Sequence, residues 1–307
     1  MMRTLALAGA LVLAAGAGAH AQERVSIGTG GTGGVFYAIG AGMAEILSNN
    51  MEGATANAEV TGASIENIRR VSAGQMTIGF SSASTLYEGK NGEGAFDGEP
   101  QNVAAIAALY PAVLQVAATK DSGAASIADL ADLDISVGPP GSNSSVLSER
   151  LLTAYDAFNM SNVSFLSYGE ATQALKNGQL EGTMILAGTP AAAFIELFTT
   201  EDVVLLPVTE ADVSGMLESY PFYALTEIAA GTYEGQDAPV QAIGDPAILF
   251  VAADADEALV HDITATLFDN LETLQGVHPA ASAINIAGAS KTPIALHAGA
   301  KRYFDAQ

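Results

Sequence analysis

Two stretches near the start of the chain share one order of apolar strand, polar loop and amphipathic helix. The first reads "VSIGTGGTGGVFYAIGAGMAEIL" (residues 25–47) and the second "AEVTGASIENIRRVSAGQMTIGFSSAS" (residues 58–84), with Ser64 as the expected helix cap and a further strand ending at residues 81–84. The apolar residues of the first helix recur at the 3.6-residue period of one face: Phe36, Ile39, Met43 and Leu47. These patterns predict a β-α-β-α-β unit.

The same plan returns in the middle of the chain. "DISVGPPGSNSSVLSERLLTAY" (residues 134–155) is again strand, loop and helix, and residues 163–193 again give a strand, a serine-capped helix and a strand. "SAGQMTIGF" and "KNGQLEGTMIL" are the clearest internal match, with two extra residues in the second copy. One duplication at the scale of a lobe is not a solenoid, whose repeats are shorter and more numerous.

Two further segments are predicted to connect the copies. "VLQVAATKDSGAASIADL" lies between them and "AILFVAADADEALVHDITATLF" follows the second, each an apolar strand, an acidic turn and a helix. We predict an α/β protein of two lobes, each a mostly parallel sheet flanked by helices, joined by two hinge strands. The expected boundaries are residues 22–113 and 247–307 for lobe 1 and residues 114–246 for lobe 2.

The loops at the carboxyl ends of the strands are the expected ligand site, because open α/β sheets bind ligands there. They hold no Lys, Arg, His, Asp or Glu and are rich in Gly, Ser and Thr: residues 28–34, 61–64, 81–84, 138–145 and 188–190. Glycine amides, helix N-termini and hydroxyls can hold a carboxylate without a formal cation. Any one such loop can equally be a plain tight turn, whereas five of them in two lobes favour an anion site.

The first 21 residues have the layout of a secretory signal peptide. Arg3 precedes an apolar run from Leu5 to about Ala17, and Ala19-His20-Ala21 forms an A-x-A cleavage site. The apolar run is too short to span a membrane. Cleavage after Ala21 and export to the periplasm are therefore expected.

Charge and cysteine content exclude several classes of partner and chemistry. The chain carries 11 basic and 34 acidic residues, a net charge of −23, and loss of Arg3 leaves 10 against 34, or −24. Nucleic acid and anionic membrane surfaces are poor partners for such a charge. The absence of cysteine removes disulfides, thiolate catalysis and cysteine metal sites.

Catalytic and cofactor motifs are weak. Residues 28–33 fit G-x-G-x-x-G after a strand. A dinucleotide site needs an acidic residue at the end of the second strand, whereas Glu52 is expected before this strand and Glu59 inside it. No Gly-Lys-Ser/Thr follows the loop, so a Walker site is excluded. His261, His278 and His297 are far apart in sequence, and no nucleophile elbow surrounds the serines near residue 144. The sequence predicts no catalytic residues, metal or cofactor.

Several segments in order carry a family resemblance. They include "IGTGGTGGVFYAIGAGMAEIL", "TGASIENIRRVSAGQMTIGF", "SVGPPGSNSSVLSERLLTAYD", "GTMILAGTPAAAFIEL" and "SYPFYALTEIAAGTYEGQD". Together they resemble the TAXI family of solute-binding proteins, which serve TRAP transporters. The resemblance implies a periplasmic binding protein of type II topology that closes on a small organic anion and delivers it to an ion-driven permease.

The resemblance also implies a ligand class and a set of binding residues. Acidic amino acids and dicarboxylates, such as glutamate or 2-oxoglutarate, are the implied ligands. The implied binding residues are Gly31, Thr32, Tyr37, Thr61, Ser64, Ser82, Ser84, Tyr110, Gly141, Ser142, Ser144, Thr189 and Tyr223. The sequence departs from the family at Ser82-Ala83-Ser84, where Gln-Ser-Asp is usual, and at Ala63, where glycine is usual. Because the carboxylate is missing, a ligand without an α-ammonium group, such as a keto or hydroxy dicarboxylate, is a candidate at least equal to glutamate.

The expected function is thus a monomeric solute-binding receptor of a TRAP-type permease. Two alternatives stay open at this point. An exported sensory protein would present the same ligand to a receptor, and a Rossmann-type oxidoreductase would use the glycine loop for a dinucleotide.

Overall fold

Residues 23–307 are described by a computed structural model, so the predicted signal peptide lies outside the described residues. The strands of this part are β1 (Glu23–Gly28), β2 (Ala54–Glu59), β3 (Ile78–Ser82), β4 (Val103–Ala108), β5 (Val113–Thr119), β6 (Ile135–Ser136), β7 (Val163–Ser164), β8 (Gly182–Ala187), β9 (Val203–Leu205), β10 (Ala224–Ile228), β11 (Val240–Gly244) and β12 (Ala247–Ala252).

The α-helices of the same part are α1 (Val35–Asn50), α2 (Ser64–Ser72), α3 (Ala83–Asn91), α4 (Asn143–Ala154), α5 (Tyr168–Lys176), α6 (Ala192–Thr200), α7 (Glu210–Ser219), α8 (Glu257–Asp269), α9 (Leu271–Gly276), α10 (Ile286–Ala289) and α11 (Ala298–Phe304). Short 3₁₀ turns lie at Gly94–Phe96, Lys120–Ser122, Ile127–Asp132 and Pro279–Ala283. Within this part of the chain, no helix combines the length and hydrophobicity that a membrane span requires.

The strands form two sheets, as the duplicated pattern predicts. The first has the order β2-β1-β3-β12-β4 and the second β10-β11-β5-β8-β6-β7, with β9 also paired to β5. In each copy the first strand pairs in parallel with the second and the third, β1 with β2 and β3, and β6 with β7 and β8. The protein therefore has the two-lobed α/β fold of type II order.

The chain crosses between the sheets twice. It passes from β4 in the first sheet to β5 in the second, and from β11 back to β12. The strand that follows each crossing pairs antiparallel with the third strand of the repeated unit in its sheet. These pairs are β5 with β8 and β12 with β3. On this basis we propose the lobe boundaries suggested by the sequence, residues 22–113 with 247–307 and residues 114–246.

The helical period predicts the buried face of α1. Ile39, Met43 and Leu47 are fully buried, while Phe36 at the start of the helix is only partly covered. Ser64 differs from its prediction, because α2 starts at this residue and its hydroxyl accepts a hydrogen bond from the Ser82 N–H at 3.1 Å instead of capping the helix. That bond ties the start of α2 to the end of β3.

The position predicted for Glu59 is wrong. Glu59 is the last residue of β2 instead of lying inside the strand, and its carboxylate pairs with Arg70 at 2.8 Å.

Candidate functional site

A cavity lies between the two sheets, at the carboxyl ends of their first strands. It encloses about 680 Å³ including its opening to solvent, a size typical of small-molecule sites. The first sheet contributes the loop after β1, the start of α1, the loop between β2 and α2, and the end of β3. The second contributes the loop before α4, the start of α5 and the end of β8. The cavity therefore depends on both sheets.

The cavity wall is mostly apolar and carries no charged side chain. Val35, Phe36 and Val60 form the side next to the first sheet, and Leu186 and the Tyr168 ring lie on the side of the second. None of its lining residues is Lys, Arg, His, Asp or Glu. The polar groups that reach it are hydroxyls, one side-chain amide and backbone N–H groups.

The glycine loop leaves backbone donors free at this wall. In the described chain, the N–H groups of Gly30, Gly31, Val35 and Phe36 donate to no protein acceptor. Gly34 is the N-cap of α1 and contributes no side-chain cap, so the positive end of a 16-residue helix is open at the cavity. These donors suit an anion better than a cation.

The first turn of α4 supplies a second set of donors from the opposite sheet. The Ser142 hydroxyl caps this helix by accepting from the Ser145 N–H at 3.3 Å. The N–H groups of Asn143 and Ser144 have no acceptor among residues 23–307, and both residues line the cavity. Two helix N-termini, one from each sheet, thus meet the same space.

Two other helix N-termini near the cleft are partly occupied by the protein. The N–H groups of Ile65 and Glu66, in the first turn of α2, donate to the Gly141 carbonyl at 3.1 and 3.4 Å. At the start of α3, the Ser84 N–H donates to Asp245 Oδ1 at 3.1 Å. These contacts take up part of the donors predicted from sequence, whereas the N–H groups of Ser64 and Tyr168 at the cavity wall have no acceptor among residues 23–307.

The sequence matches the NMT1-like family over residues 27–307. The chain belongs to the NMT1-like family. The periplasmic binding protein BugD shares its fold, with a TM-score of 0.61, 16% identity and coverage of 93% of this chain and 95% of that one. A Bordetella bronchiseptica protein gives 0.55 at 17% identity, over 92% and 89%. A histidine kinase sensor domain similar to periplasmic binding proteins gives 0.52 at 11%, over 86% and 98%.

These likenesses identify the fold of periplasmic binding proteins and, at such low identity, nothing finer. They confirm the two-lobed α/β architecture that the duplicated sequence pattern predicts.

The structure brings about half of the predicted binding residues of this NMT1-like protein to the cavity. Those that line it are Gly31, Thr61, Ser64, Ser82, Ser142 and Ser144. Those that do not line it are Thr32, Tyr37, Ser84, Tyr110, Gly141, Thr189 and Tyr223. Thr32 is exposed in the turn, and Gly141 directs its carbonyl to α2. For the whole set, a role in binding stays a prediction.

Tyr110 lies between the two sheets rather than at the cavity. It is buried, its hydroxyl has no hydrogen-bond partner among the described residues, and burial raises its pKa well above the ordinary value. Its ring packs so closely on Gly188 that a Cβ atom there would come within 2.9 Å. Tyr110 thus packs at the crossing between β4 and β5.

Ala63 adopts a backbone conformation that favours glycine. Its φ is +73° and its ψ is −140°, and such strain in a non-glycine residue costs about 1–3 kcal/mol. The strain is consistent with the glycine that the family resemblance implies at this position. Because Ala63 lines the cavity, its methyl group occupies space at the wall that a glycine would leave open.

A buried polar cluster joins the sheets behind the cavity. We call it the interlobe cluster, and its members are Ser84, Glu88, Asn143, Arg150, Tyr223 and Asp245. Asp245, in the crossing between β11 and β12, accepts from the Ser84 hydroxyl at 2.5 Å and from Asn143 Nδ2 at 2.6 Å. Asp245 therefore binds the starts of α3 and α4 together.

Arg150 forms the second half of the interlobe cluster. Its guanidinium lies 2.7 Å from Glu88 Oε1 across the lobes, and it donates to the Tyr223 hydroxyl at 2.7 Å. It also stacks over the Tyr220 ring, 4.0 Å from the ring centre. The Arg150 and Glu88 side chains are only 14% and 7% exposed, so this ion pair is largely removed from water.

Burial raises the pKa of Asp245, the acid at the centre of the interlobe cluster. Desolvation raises the pKa of Asp245 to about 6, against hydrogen bonds from Ser84 and Asn143 that lower it, and the nearby Glu88 raises it further. The acid also raises the pKa of the Tyr223 hydroxyl, after burial as the larger cause. The interlobe cluster thus concentrates charge that the cavity lacks.

Sequence reasoning missed most of the interlobe cluster. Glu88 and Arg150 lie on helices of different lobes and are separated by 62 residues, so no local pattern links them. Asn143, within "GSNSS", is not among the predicted residues, although it lies in the first turn of a helix that begins at the site. Asp245 lies in the "GDP" turn that precedes the second crossing strand, a place where a polar residue touches both lobes.

Proposed function

We propose that this chain is an exported solute-binding receptor, which closes on a small organic anion and delivers it to a TRAP-type ion-driven permease. The observation that carries the proposal is the meeting of two helix N-termini, from opposite sheets, at one cavity without basic side chains. A carboxylate bound by the amides of Gly31 and Ser144 would contact both lobes at once. Ligand binding would then favour the closed arrangement.

The electrostatics of the chain support capture by short-range donors. A net charge of −23 repels an anion at long range, so any attraction has to come from oriented groups close to it. Free amides at helix N-termini act at hydrogen-bond distance and carry no countercharge. This arrangement selects for a ligand that fits the cavity rather than for negative charge in general.

The finer parts of this proposal follow the sequence resemblance. We propose a periplasmic location after removal of residues 1–21, a monomer in solution, and a TRAP-type permease as the membrane partner. Glutamate and 2-oxoglutarate are the ligands that the resemblance implies. The predicted binding residues keep their proposed roles, and Gly31, Ser82 and Ser144 are among those that line the cavity.

Ligand binding tests the proposal directly. Thermal unfolding of the mature chain is measured with a panel of small organic acids and matched neutral amides, and any acid that raises the Tm is followed by calorimetry. A saturating ligand at a hundred times its Kd stabilises the folded state by about 2.7 kcal/mol. Stabilisation by acids and not by their amides is expected. Stabilisation by none of the panel, or by the amides equally, would contradict an anion receptor.

A sensory role is the second candidate, favoured by the likeness to a histidine kinase sensor domain. Such a protein would bind the same anion but present it to a signalling receptor. Uptake into vesicles that contain the cognate permease separates the two functions. Transport that depends on the added binding protein supports the receptor of a permease, whereas binding without any contribution to uptake supports the sensory role.

A further inference from the structure

We infer that Gly62 is a positioning residue, which must lack a side chain for the two lobes to close around the cavity. Its partner is the loop of residues 139–141, between β6 and α4 in the second lobe, which we call the latch loop. The inference rests on the proposed function, because it assigns the closing of the binding site to this contact.

The latch loop reaches the first lobe through its last carbonyl. The Gly141 carbonyl accepts from the N–H groups of Ile65 and Glu66, at 3.1 and 3.4 Å, in the first turn of α2. N–H groups at this position have no acceptor within their own helix. A carbonyl of one lobe thus binds the N-terminus of a helix in the other, and both bonds require the lobes to be in contact.

Gly62 brings its backbone close to the latch loop. A Cβ atom at Gly62 would lie 2.9 Å from the Pro140 carbonyl oxygen and 3.0 Å from Glu66 Oε2. The Glu66 side chain is 41% exposed and can turn toward water. The Pro140 carbonyl belongs to the backbone and moves only with the latch loop, so a side chain at Gly62 would clash with this loop.

The latch loop is rigid. Pro139 and Pro140 fix two successive φ angles at about −65°. The Pro139 carbonyl accepts from both the N–H group and the hydroxyl of Ser142, at 3.3 and 2.7 Å. Ser142 is the N-cap of α4, so the latch loop is bonded to its own helix. It cannot retreat from Gly62 unless α4 moves with it.

The backbone next to Gly62 is held within the first lobe. The Ala63 N–H donates to the Thr61 hydroxyl at 3.0 Å, and this hydroxyl donates to Asn67 Oδ1 at 2.8 Å. Asn67, in α2, in turn donates to the Thr29 carbonyl at 2.7 Å. A side chain at Gly62 would therefore separate the lobes rather than deform either loop.

The contact lies next to the cavity. Pro139, Ser142 and Ser144 line the cavity from the second lobe. Ser64, the first residue of α2, lines it from the first lobe, and its N–H has no acceptor among residues 23–307. Gly62 does not line the cavity, so it would act on a ligand only through the latch loop. Closing this contact brings the N-termini of α2 and α4 to the ligand together.

Gly62→Ala tests the inference through ligand binding. The φ of Gly62 is not positive, so alanine suits the backbone of the first lobe. The affinity for the tightest acid of the panel should fall about ten-fold, mainly through faster dissociation, because the first encounter with open lobes does not need this contact. Gly169→Ala is the control, since Gly169 is exposed in α5 and no described atom lies within 4 Å of a Cβ there. Calorimetry and stopped-flow kinetics measure the two quantities.

Hydrogen exchange of the Ile65 amide tests the contact without a ligand. In the described chain this N–H donates to the Gly141 carbonyl alone, so its protection reports closed lobes. Exchange should be about ten-fold faster in Gly62→Ala than in wild type or Gly169→Ala, whereas the Val71 amide, in the last turn of α2, should be unchanged. An unchanged Ile65 rate would overturn the inference and leave the proposed function standing. Faster exchange without binding of any acid of the panel would overturn the proposed function and the role of Gly62 in it.

Pro140→Ala tests the latch loop from the second lobe. Pro140 is exposed, and alanine keeps its carbonyl while it releases the φ angle. We expect Ile65 exchange to be about three-fold faster and ligand affinity to fall in the same direction as in Gly62→Ala. Wild-type exchange and wild-type affinity in both variants would contradict a closing contact at this loop.

Discussion

The cavity and the interlobe cluster lie side by side between the same two sheets, yet their chemistry is opposite. The cavity wall has apolar side chains and free backbone amides and no charged side chain. The interlobe cluster holds an ion pair, a buried acid and the Tyr223 hydroxyl, which accepts a hydrogen bond from Arg150. The free backbone N–H donors of the cavity wall have no acceptor among residues 23–307, whereas nearly all donors of the interlobe cluster are already bonded.

This contrast separates two tasks of a protein that closes around a ligand. Unpartnered donors provide binding energy only when a ligand arrives. Paired charges across the lobes, such as Arg150 and Glu88, stabilise the observed contact between the lobes without a ligand. The affinity of such a protein is then set by both regions, since the cost of closure is shared between them.

Filling the cavity should weaken ligand binding more than any other of the proposed changes. A Cβ atom at Gly31 would meet nothing closer than Ser167 Cβ, 4.0 Å away, so Gly31→Val is tolerated by the fold and its side chain enters the ligand space. We expect binding of the tightest acid of the panel to weaken by about 1000-fold or more, with a Tm within about 3 °C of the wild type. Calorimetry and thermal unfolding measure the two quantities.

Gly276→Val is the matched control for that substitution. No described atom lies within 4 Å of a Cβ at Gly276, and this residue is exposed at the end of α9, away from the cavity. The control should bind the same acid with wild-type affinity. Retained affinity in a folded Gly31→Val protein would show that the glycine loop is a plain turn.

Breaking the interlobe ion pair should have the next largest effect, a loss of folding stability. Glu88→Gln leaves Arg150 largely buried without its countercharge, and loss of one partner of a buried pair costs about 3 kcal/mol or more. Urea unfolding should show this loss, and small-angle scattering should show a larger radius of gyration. The affinity for the acid should fall although Glu88 does not line the cavity.

An exposed ion pair within one lobe supplies the comparison. Arg302 and Glu257 are 3.0 Å apart but about half exposed, and such pairs contribute less than about 1 kcal/mol. Glu257→Gln should therefore leave stability, shape and affinity nearly unchanged. If Glu88→Gln behaves like Glu257→Gln, the interlobe cluster does not stabilise closure.

The sequence predicted the fold better than the site. The fold follows from local patterns along the chain, whereas the site depends on contacts between residues far apart in sequence. The helical period located the buried face of α1, and the internal match of residues 72–80 with residues 176–186 predicted two related lobes. Whether a loop amide is free depends on its neighbour from the other lobe. The Gly141 carbonyl reaches α2 only in the folded chain, and the Glu88–Arg150 pair has no local signature.

The buried acid of the interlobe cluster predicts a pH dependence of intermediate size. The pKa of Asp245 is raised from 3.8 to about 6 in the folded state, chiefly by desolvation and in part by Glu88. The folded chain thus binds this proton more tightly than the unfolded chain does. Its contribution to stability is complete below about pH 4 and is lost as the pH rises through 6, by about 2–3 kcal/mol.

Asp245→Asn should remove that dependence. The new amide keeps an acceptor for Ser84, and Asn143 can turn so that its unpartnered Oδ1 accepts from the new NH₂ group. The difference in unfolding free energy between variant and wild type should therefore increase in favour of the variant between pH 4 and pH 7. Urea unfolding across this range measures it, and a constant difference would mean that Asp245 does not titrate as its burial indicates.

Salt should have the smallest effect on ligand affinity. Its effect shows whether neutral donors or exposed charges hold the ligand. The cavity wall holds no charged side chain, so bound acid is retained by amides at contact distance, where mobile ions cannot intervene. Screening shortens from about 10 Å at 0.1 M to about 3 Å at 1 M ionic strength and acts mainly on exposed charges. Affinity for the tightest acid should change by less than about three-fold over this range. The association rate should rise slightly, because salt weakens repulsion by a chain of charge −23. A ten-fold loss of affinity would mean that exposed charge holds the ligand, and the neutral cavity would then no longer differ from the charged cluster behind it.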